Sequence, residues 1–344
     1  MTSLPTGTGT GVGSMPGTDA REAAAVVNGE LDFTHLAELP ARGVGADMVG
    51  RMGTLLVDMP IDAGPWGYRL SARPSGVTRA ASDYLRFDLD AIEELWDAAG
   101  FIGTRRPVKV AVCGPFTFAA SVELPNGHKV VRDTGAWHDV VASTAEGLSQ
   151  HVSEVTRRLG ADVTVQLDEP LIGAVLDGTV TPLTRLDPIR AIPLPEVANA
   201  LASIVEQVGR PAIVHNCGAP RWDLIGRLRG VAHSVVLDRA VSSGPDVLDT
   251  ATLDGIGDLI ERGDALVAGV LSAQREDRRA RAETVATALA ALTDRIGLAR
   301  KVLSENVIVT PTCGLAGATP TWARTALGVC ARAGELLAED PEAL

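Results

Sequence analysis

Six short apolar runs rich in β-branched residues, separated by longer stretches with helical apolar spacing, constrain this chain more than any other feature. They are "VKVAVCGP" (108–115), "DVTVQLDEP" (162–170), "PAIVHNC" (211–217), "SVVLDRA" (234–240), "ALVAGVLSA" (265–273) and "VIVTPTCG" (307–314). Runs of this kind predict strands buried on both faces, as in a parallel sheet covered by helices. Two weaker candidates precede them, "GTGVGSMPG" (9–17) and "ADMVGRMG" (46–53), which brings the count to about eight.

The intervening segments carry the helical period. In 138–160, Val141, Thr144, Leu148, Val152, Val155 and Leu159 form one stripe, and Gly160 supplies a stop. In 194–209, Val197, Leu201, Ile204, Val205 and Val208 repeat the pattern between Pro195 and Gly209. A last helix is predicted from Pro320. Strand and helix alternating about eight times predict a single (β/α)8 TIM barrel of parallel strands and right-handed crossovers. A doubly wound open sheet is the competing architecture, but no G-x-G-x-x-G joins a strand to a helix, and a dinucleotide site is rejected. Residues 54–80 fit neither period and predict an inserted loop or hairpin over one barrel mouth. No linker or low-complexity tract interrupts the chain, so residues 1–344 read as one domain.

Composition narrows the function. The 344 residues are 46% hydrophobic, enough for a large core, and the net charge of -12 opposes nucleic acid and anionic membranes. The first residues, "MTSLPTGTGTGVGSMPG", lack a basic segment followed by an apolar one, and no stretch approaches about 18 apolar residues, so a cytoplasmic protein is expected. Four cysteines are too few for a disulfide framework and are expected as thiols.

Chemistry-bearing residues gather at the predicted carboxyl ends of the strands, where barrel sites are built. His215 and Cys217 share one side of a strand if it continues that far. Asp168 and Glu169 follow "VTVQL", Asp238 follows "SVVL" and Cys313 follows "VIVTPT". One imidazole, two thiols and a carboxylate suit zinc. The other reading makes Cys217 and Cys313 small buried hydrophobes and His215 a hydrogen-bonded core residue. Asp238 could equally pair with Arg239, and "LDEP" could cap the next segment, whereas adjacent carboxylates beside a metal would suit an ammonium group. Cys113 and Cys330 read as packing. His35, His128, His138, His151 and His233 read as surface or locally bonded, and "QREDRRARAE" (274–283) as a solvated helix face.

The motifs "VGSMPGT", "GPFTFA", "VQLDEP", "HNC", "VVLD" and "VTPTCGL", in this order over residues 12–315, resemble the catalytic barrel of cobalamin-independent methionine synthase, within a superfamily shared with uroporphyrinogen decarboxylase. The resemblance implies zinc held by His215, Cys217, Asp238 and Cys313, with Asp238 standing where the family generally has glutamate. It implies that Ser14 and nearby backbone bind the carboxylate of homocysteine, that Asp168 binds its amine, and that Glu38 is the best match to a second carboxylate. Three departures accompany it. The full synthase has two such barrels, no tryptophan follows "GPFT" to stack a folate pterin, and "LVAGVLSAQ" lacks the family's histidine.

The implied activity is a zinc-dependent S-methyltransferase converting homocysteine to methionine. Its partners would be the thiol and a methyl donor, either methyl-folate or a methylated corrinoid, with a corrinoid protein as a candidate carrier. The alternatives are a zinc-dependent alkyltransferase resembling epoxyalkane:coenzyme M transferase, for which Arg42, Arg51 and Arg73 could serve a sulfonate, and a non-catalytic zinc- or thiol-binding homologue.

Overall fold

The computed structural model describes residues 4–344. In chain order its strands are β1 (Thr8–Gly9), β2 (Thr34–His35), β3 (Ile61–Gly64), β4 (Gly67–Leu70), β5 (Pro107–Cys113), β6 (Asp162–Asp168), β7 (Ala212–His215), β8 (Ala232–Val236), β9 (Leu266–Leu271) and β10 (Val307–Pro311). Eight of them form one sheet in the order β1-β10-β9-β8-β7-β6-β5-β2, with every neighbouring pair parallel. The two ends of this sheet meet beyond β1 and β2. Ser14 bridges to Glu38, Met15 N–H donates to the Glu38 carbonyl at 2.8 Å, and Glu38 N–H donates to the Gly13 carbonyl at 3.2 Å. The fold is a (β/α)8 barrel.

Helices form where the apolar stripes predict them. Thr134–Leu159 buries Thr144, Leu148, Val152, Val155 and Leu159 and stops at Gly160, which takes the left-handed φ of 62° that a residue with a Cβ resists. Leu194–Val208 ends in the same way at Gly209, and the last helix spans Pro320–Glu339. No helix among the described residues is long and apolar enough to cross a membrane.

Three expectations are corrected. The segment 46–53 is a helix, Met48–Leu55, because the Asp47 side chain accepts from the Val49 and Gly50 N–H groups and caps its first turn. The second barrel strand lies upstream at Thr34–His35, followed by the bridge at Glu38. Residues 274–281 form an exposed loop, and the helix begins only at Ala282. The inserted hairpin exists as antiparallel β3 and β4. It is anchored by Tyr68, whose hydroxyl donates to the Asp47 carboxylate and accepts from Gly45 N–H at 2.8 Å.

The barrel interior is stratified. Phe33, Ile213, Ala232, Val267 and Ile308 belong to one small apolar cluster. Two residues further along the same strands, and therefore on the same side, stand His35, His215, Ser234, Gly269 and Thr310. The apolar plug thus gives way to polar groups toward the carboxyl ends, where most barrels would continue with branched aliphatics.

Candidate metal and substrate site

β7 ends at His215, and the chain then turns. Asn216 N–H donates to the Ser234 hydroxyl at 2.9 Å. The Asn216 side chain accepts from Gly218 N–H at 2.9 Å and donates to the Ala219 carbonyl at 3.0 Å, a self-bonded turn typical of asparagine. It is this turn, rather than continued strand alternation, that brings Cys217 back over the rim. The loop after β10 is pinned on both sides. Thr312 N–H donates to the Leu271 carbonyl at 2.8 Å, and Leu315 N–H donates to the Ser14 carbonyl at 2.7 Å. A Cβ on Gly314 would come within 2.0 Å of the Ser14 hydroxyl oxygen, so glycine after Cys313 lets this loop lie against the first strand's end.

The result is one cluster in which the donor atoms of His215, Cys217 and Cys313 lie within 4.8 Å of one another. His215 is buried, Cys313 half-buried and Cys217 exposed. The imidazole Nε2 of His215 is buried without a hydrogen-bond partner, as are ring nitrogens of the core histidines His35, His151 and His233, so it is the two neighbouring thiols that set His215 apart. The Cys217 thiol is pulled down to about 4, first by the hydrogen-bonding Cys313 thiol and then by His215. Cys313 moves the other way because it keeps the shared proton.

Asp238 lies outside this set. β8 stops at Val236, and Asp238 is the first residue of the helix Asp238–Ser243, where it lines a recess with Ser272, Arg275 and Arg281. The expected strand alternation ends two residues before it, and its carboxylate is not among the donor atoms that lie within 4.8 Å of one another.

The residues expected to bind substrate divide. Asp168 is buried and sits in register between Cys113 of β5 and His215 of β7. Glu38 is buried on the barrel seam beside Ser14. Glu169 serves the scaffold instead. Its side chain is completely buried and accepts from Phe116 N–H at 2.9 Å, Thr117 N–H at 2.8 Å and the Thr117 hydroxyl at 2.7 Å. It caps the helix Pro115–Ser121, so the pair in "LDEP" splits across the strand. Of the arginines considered for a sulfonate, Arg73 is exposed. Arg42 and Arg51 both face buried Asp88, Arg42 at 2.7 Å and off the hydrogen-bonding direction. Arg51 also stands 3.6 Å from Glu38.

The family profile described as "Cobalamin-independent synthase, Catalytic domain" matches residues 4–335. This chain belongs to that family. A B12-independent methionine synthase from Shewanella sp. W3-18-1, solved in complex with selenomethionine, shares the fold at 15% identity and a TM-score of 0.56, over 98% of this chain and 100% of that one. Weaker likenesses include a D-psicose 3-epimerase from Clostridium cellulolyticum H10 (9% identity, TM-score 0.38, 84% and 91% covered). Another is a GH113 β-mannanase from Alicyclobacillus acidocaldarius (14% identity, TM-score 0.43, 98% and 97% covered). No curated protein matches significantly.

In this cobalamin-independent synthase domain the residues present fit a zinc ion: two soft thiols and an imidazole converge, with their donor atoms within 4.8 Å of one another. Two further buried groups were missed in the sequence. Lys109 of β5 and Gln166 of β6 lie inside the barrel beneath Asp168, hydrogen-bonded to each other at 2.6 Å. Their signal was a polar residue interrupting an apolar strand, in "VKVAV" and "VTVQL"; a strand covered by helices outside can hide such a side chain only in the barrel.

Burial pushes Glu38 up to about 7, against the pull of Arg51. The carboxyl therefore takes up a proton in the folded chain at pH values where the unfolded chain has released it. Stability from this group is full below about 4.5 and is lost as pH rises toward 7. Melting of the metal-free protein between pH 5 and 7 is expected to slope less in Glu38→Gln than in wild type. Equal slopes would show that Glu38 stays ionised throughout.

Proposed function

We propose that this chain is a zinc-dependent homocysteine S-methyltransferase that forms methionine. The observation that carries the reading is the convergence of His215, Cys217 and Cys313 at the carboxyl rim, next to Ser14 and Asp168. These two thiols and one imidazole would hold the ion, and a set of three protein donors is that of a catalytic rather than a structural site. Zinc held there would supply the Lewis acidity that keeps a substrate thiol ionised near neutral pH.

The chain's own residues then act as a receptor for the amino-acid end. Ser14, fixed against Gly314, offers its hydroxyl to the substrate carboxylate, and Asp168 and Glu38 offer carboxylates to the ammonium. Holding both charged ends orients the thiol toward the rim, where Cys217 is exposed and a methyl carrier has access. The selenomethionine in the Shewanella enzyme, the selenium counterpart of the proposed product, supports an amino-acid ligand of this shape. The ion pairs of Arg42 and Arg51 with Asp88 leave them committed elsewhere and weigh against a sulfonate thiol.

The test is methionine formation by zinc-loaded protein from homocysteine, offered methyl-folate and a methylated corrinoid in separate reactions. Methionine from at least one donor is expected. A zinc-loaded protein that yields none from either would overturn the reading.

A further inference from the structure

Lys109 has no part in the chemistry described above, yet it is fully buried in the middle of the barrel. Its ammonium donates to the Val12 carbonyl at 2.6 Å and to Gln166 Oε1 at 2.6 Å. Val12 belongs to the segment after β1, and in the closed barrel β2 stands between β1 and β5, so the side chain reaches inside the barrel past one strand to a segment that is not its sheet neighbour. Gln166 Nε2 in turn donates to the same Val12 carbonyl at 2.9 Å and to Asp168 Oδ1 at 2.7 Å.

The chemistry of these groups allows one orientation. An ammonium has donors only, so the face of Gln166 toward Lys109 must be its oxygen. The amide nitrogen is thereby forced to the other side, where its two hydrogens meet two acceptors, Val12 O and Asp168 Oδ1. Without the lysine the amide could turn over, and its oxygen would then face the carboxylate. Val12 is also two residues before Ser14, so one network fixes both ends of the proposed amino-acid receptor.

We propose that Lys109 is a positioning residue that, by setting the orientation of the Gln166 amide, fixes the Asp168 carboxylate for the ammonium group of the substrate. The proposal rests on the amino-acid thiol reading above. It assigns recognition of the amine to a chain of three side chains rather than to Asp168 alone. A merely structural cross-barrel strut would contribute to stability without affecting which thiols the site prefers.

The test compares two thiols on the zinc-loaded protein by calorimetry: homocysteine, and 4-mercaptobutyrate, which has the same thiol and carboxylate but no amine. Wild type is expected to prefer homocysteine. Lys109→Met and Gln166→Met are each expected to lower that preference by about tenfold, the scale of one hydrogen bond to a charged group. The double variant, which replaces the buried polar pair by two apolar chains of similar length, is expected to match the single variants, because the lysine acts through the glutamine. An unchanged preference in folded Gln166→Met overturns the proposal, whether or not Lys109→Met folds. A double variant whose loss is the product of the two single losses also overturns it. A wild type that binds zinc but treats both thiols alike refutes the amine site itself and this proposal with it, whereas a preference that survives in the variants refutes only the relay.

Discussion

Replacing Cys313 with alanine is expected to take zinc retention from about one ion per chain to none after dialysis, with affinity falling more than about 100-fold. The cluster holds three donors among the described residues, and removing one leaves only the imidazole and the Cys217 sulfur. Two substitutions serve as references in the same metal analysis. Cys113→Ala should retain the ion, because Cys113 is packed in the core. Asp238→Ala should retain it as well, since that carboxylate starts a helix beyond the rim. Zinc lost from Asp238→Ala as completely as from Cys313→Ala would restore aspartate to the ligand set. No zinc in wild type would leave Cys217 and Cys313 as ordinary thiols, one exposed and one half-buried.

Asp88→Ala is expected to produce the largest loss of stability of any single change at the seam, roughly 3–5 kcal/mol, read as a lower denaturant midpoint at unchanged slope. Asp88 sits on the helix Gly76–Ala99 with almost no exposure, and it is the buried counter-charge for both Arg42 and Arg51. Removing it takes the shared counter-charge from both guanidinium groups, leaving Arg51 beside Glu38 at 3.6 Å and Arg42 bonded to the Thr18 carbonyl at 3.0 Å. The energy at stake is the cost of unpaired buried charge rather than the worth of the pairs, so Asp88→Leu combined with Arg51→Met should recover much of the loss. A midpoint within about 0.5 kcal/mol of wild type in Asp88→Ala would mean that water reaches these arginines.

The parts of the fold legible in the sequence were those whose signal is periodic. The six later strands and the long helices announced themselves because burial on both faces, or along one stripe, repeats residue types at fixed intervals. The second strand did not, since Thr34–His35 is too short to show a period. The neighbouring "ADMVG" looked more strand-like only until Asp47 is recognised as a cap. The convergence of His215, Cys217 and Cys313 was legible from residue type and barrel order. The position of Asp238 depended on where β8 ends, which no residue marks plainly. The adjacent Asp168 and Glu169 read as a pair, yet neighbouring residues leave a strand in opposite directions: Glu169 turns to the helix Pro115–Ser121 and Asp168 to Gln166. Asp88 gave no sign at all, because a carboxylate on an amphipathic helix looks solvated until its partners are placed.

The seam between the sheet's two ends has a consequence for how this barrel holds a ligand. Elsewhere the strands are joined by ladders, but here closure rests on a bridge and isolated hydrogen bonds, among them those of the Met15 and Glu38 amides and that of the Thr10 hydroxyl to the Phe33 carbonyl at 2.8 Å. Ser14 and Glu38 are the residues proposed above for opposite charged ends of one small molecule. A substrate that touches both acts as a rivet across the joint, and the free energy of binding is shared with that of keeping the cylinder shut. On that reading, breathing of the barrel and admission of the amino acid would be one equilibrium, with the Met15 and Glu38 amides as its natural reporters.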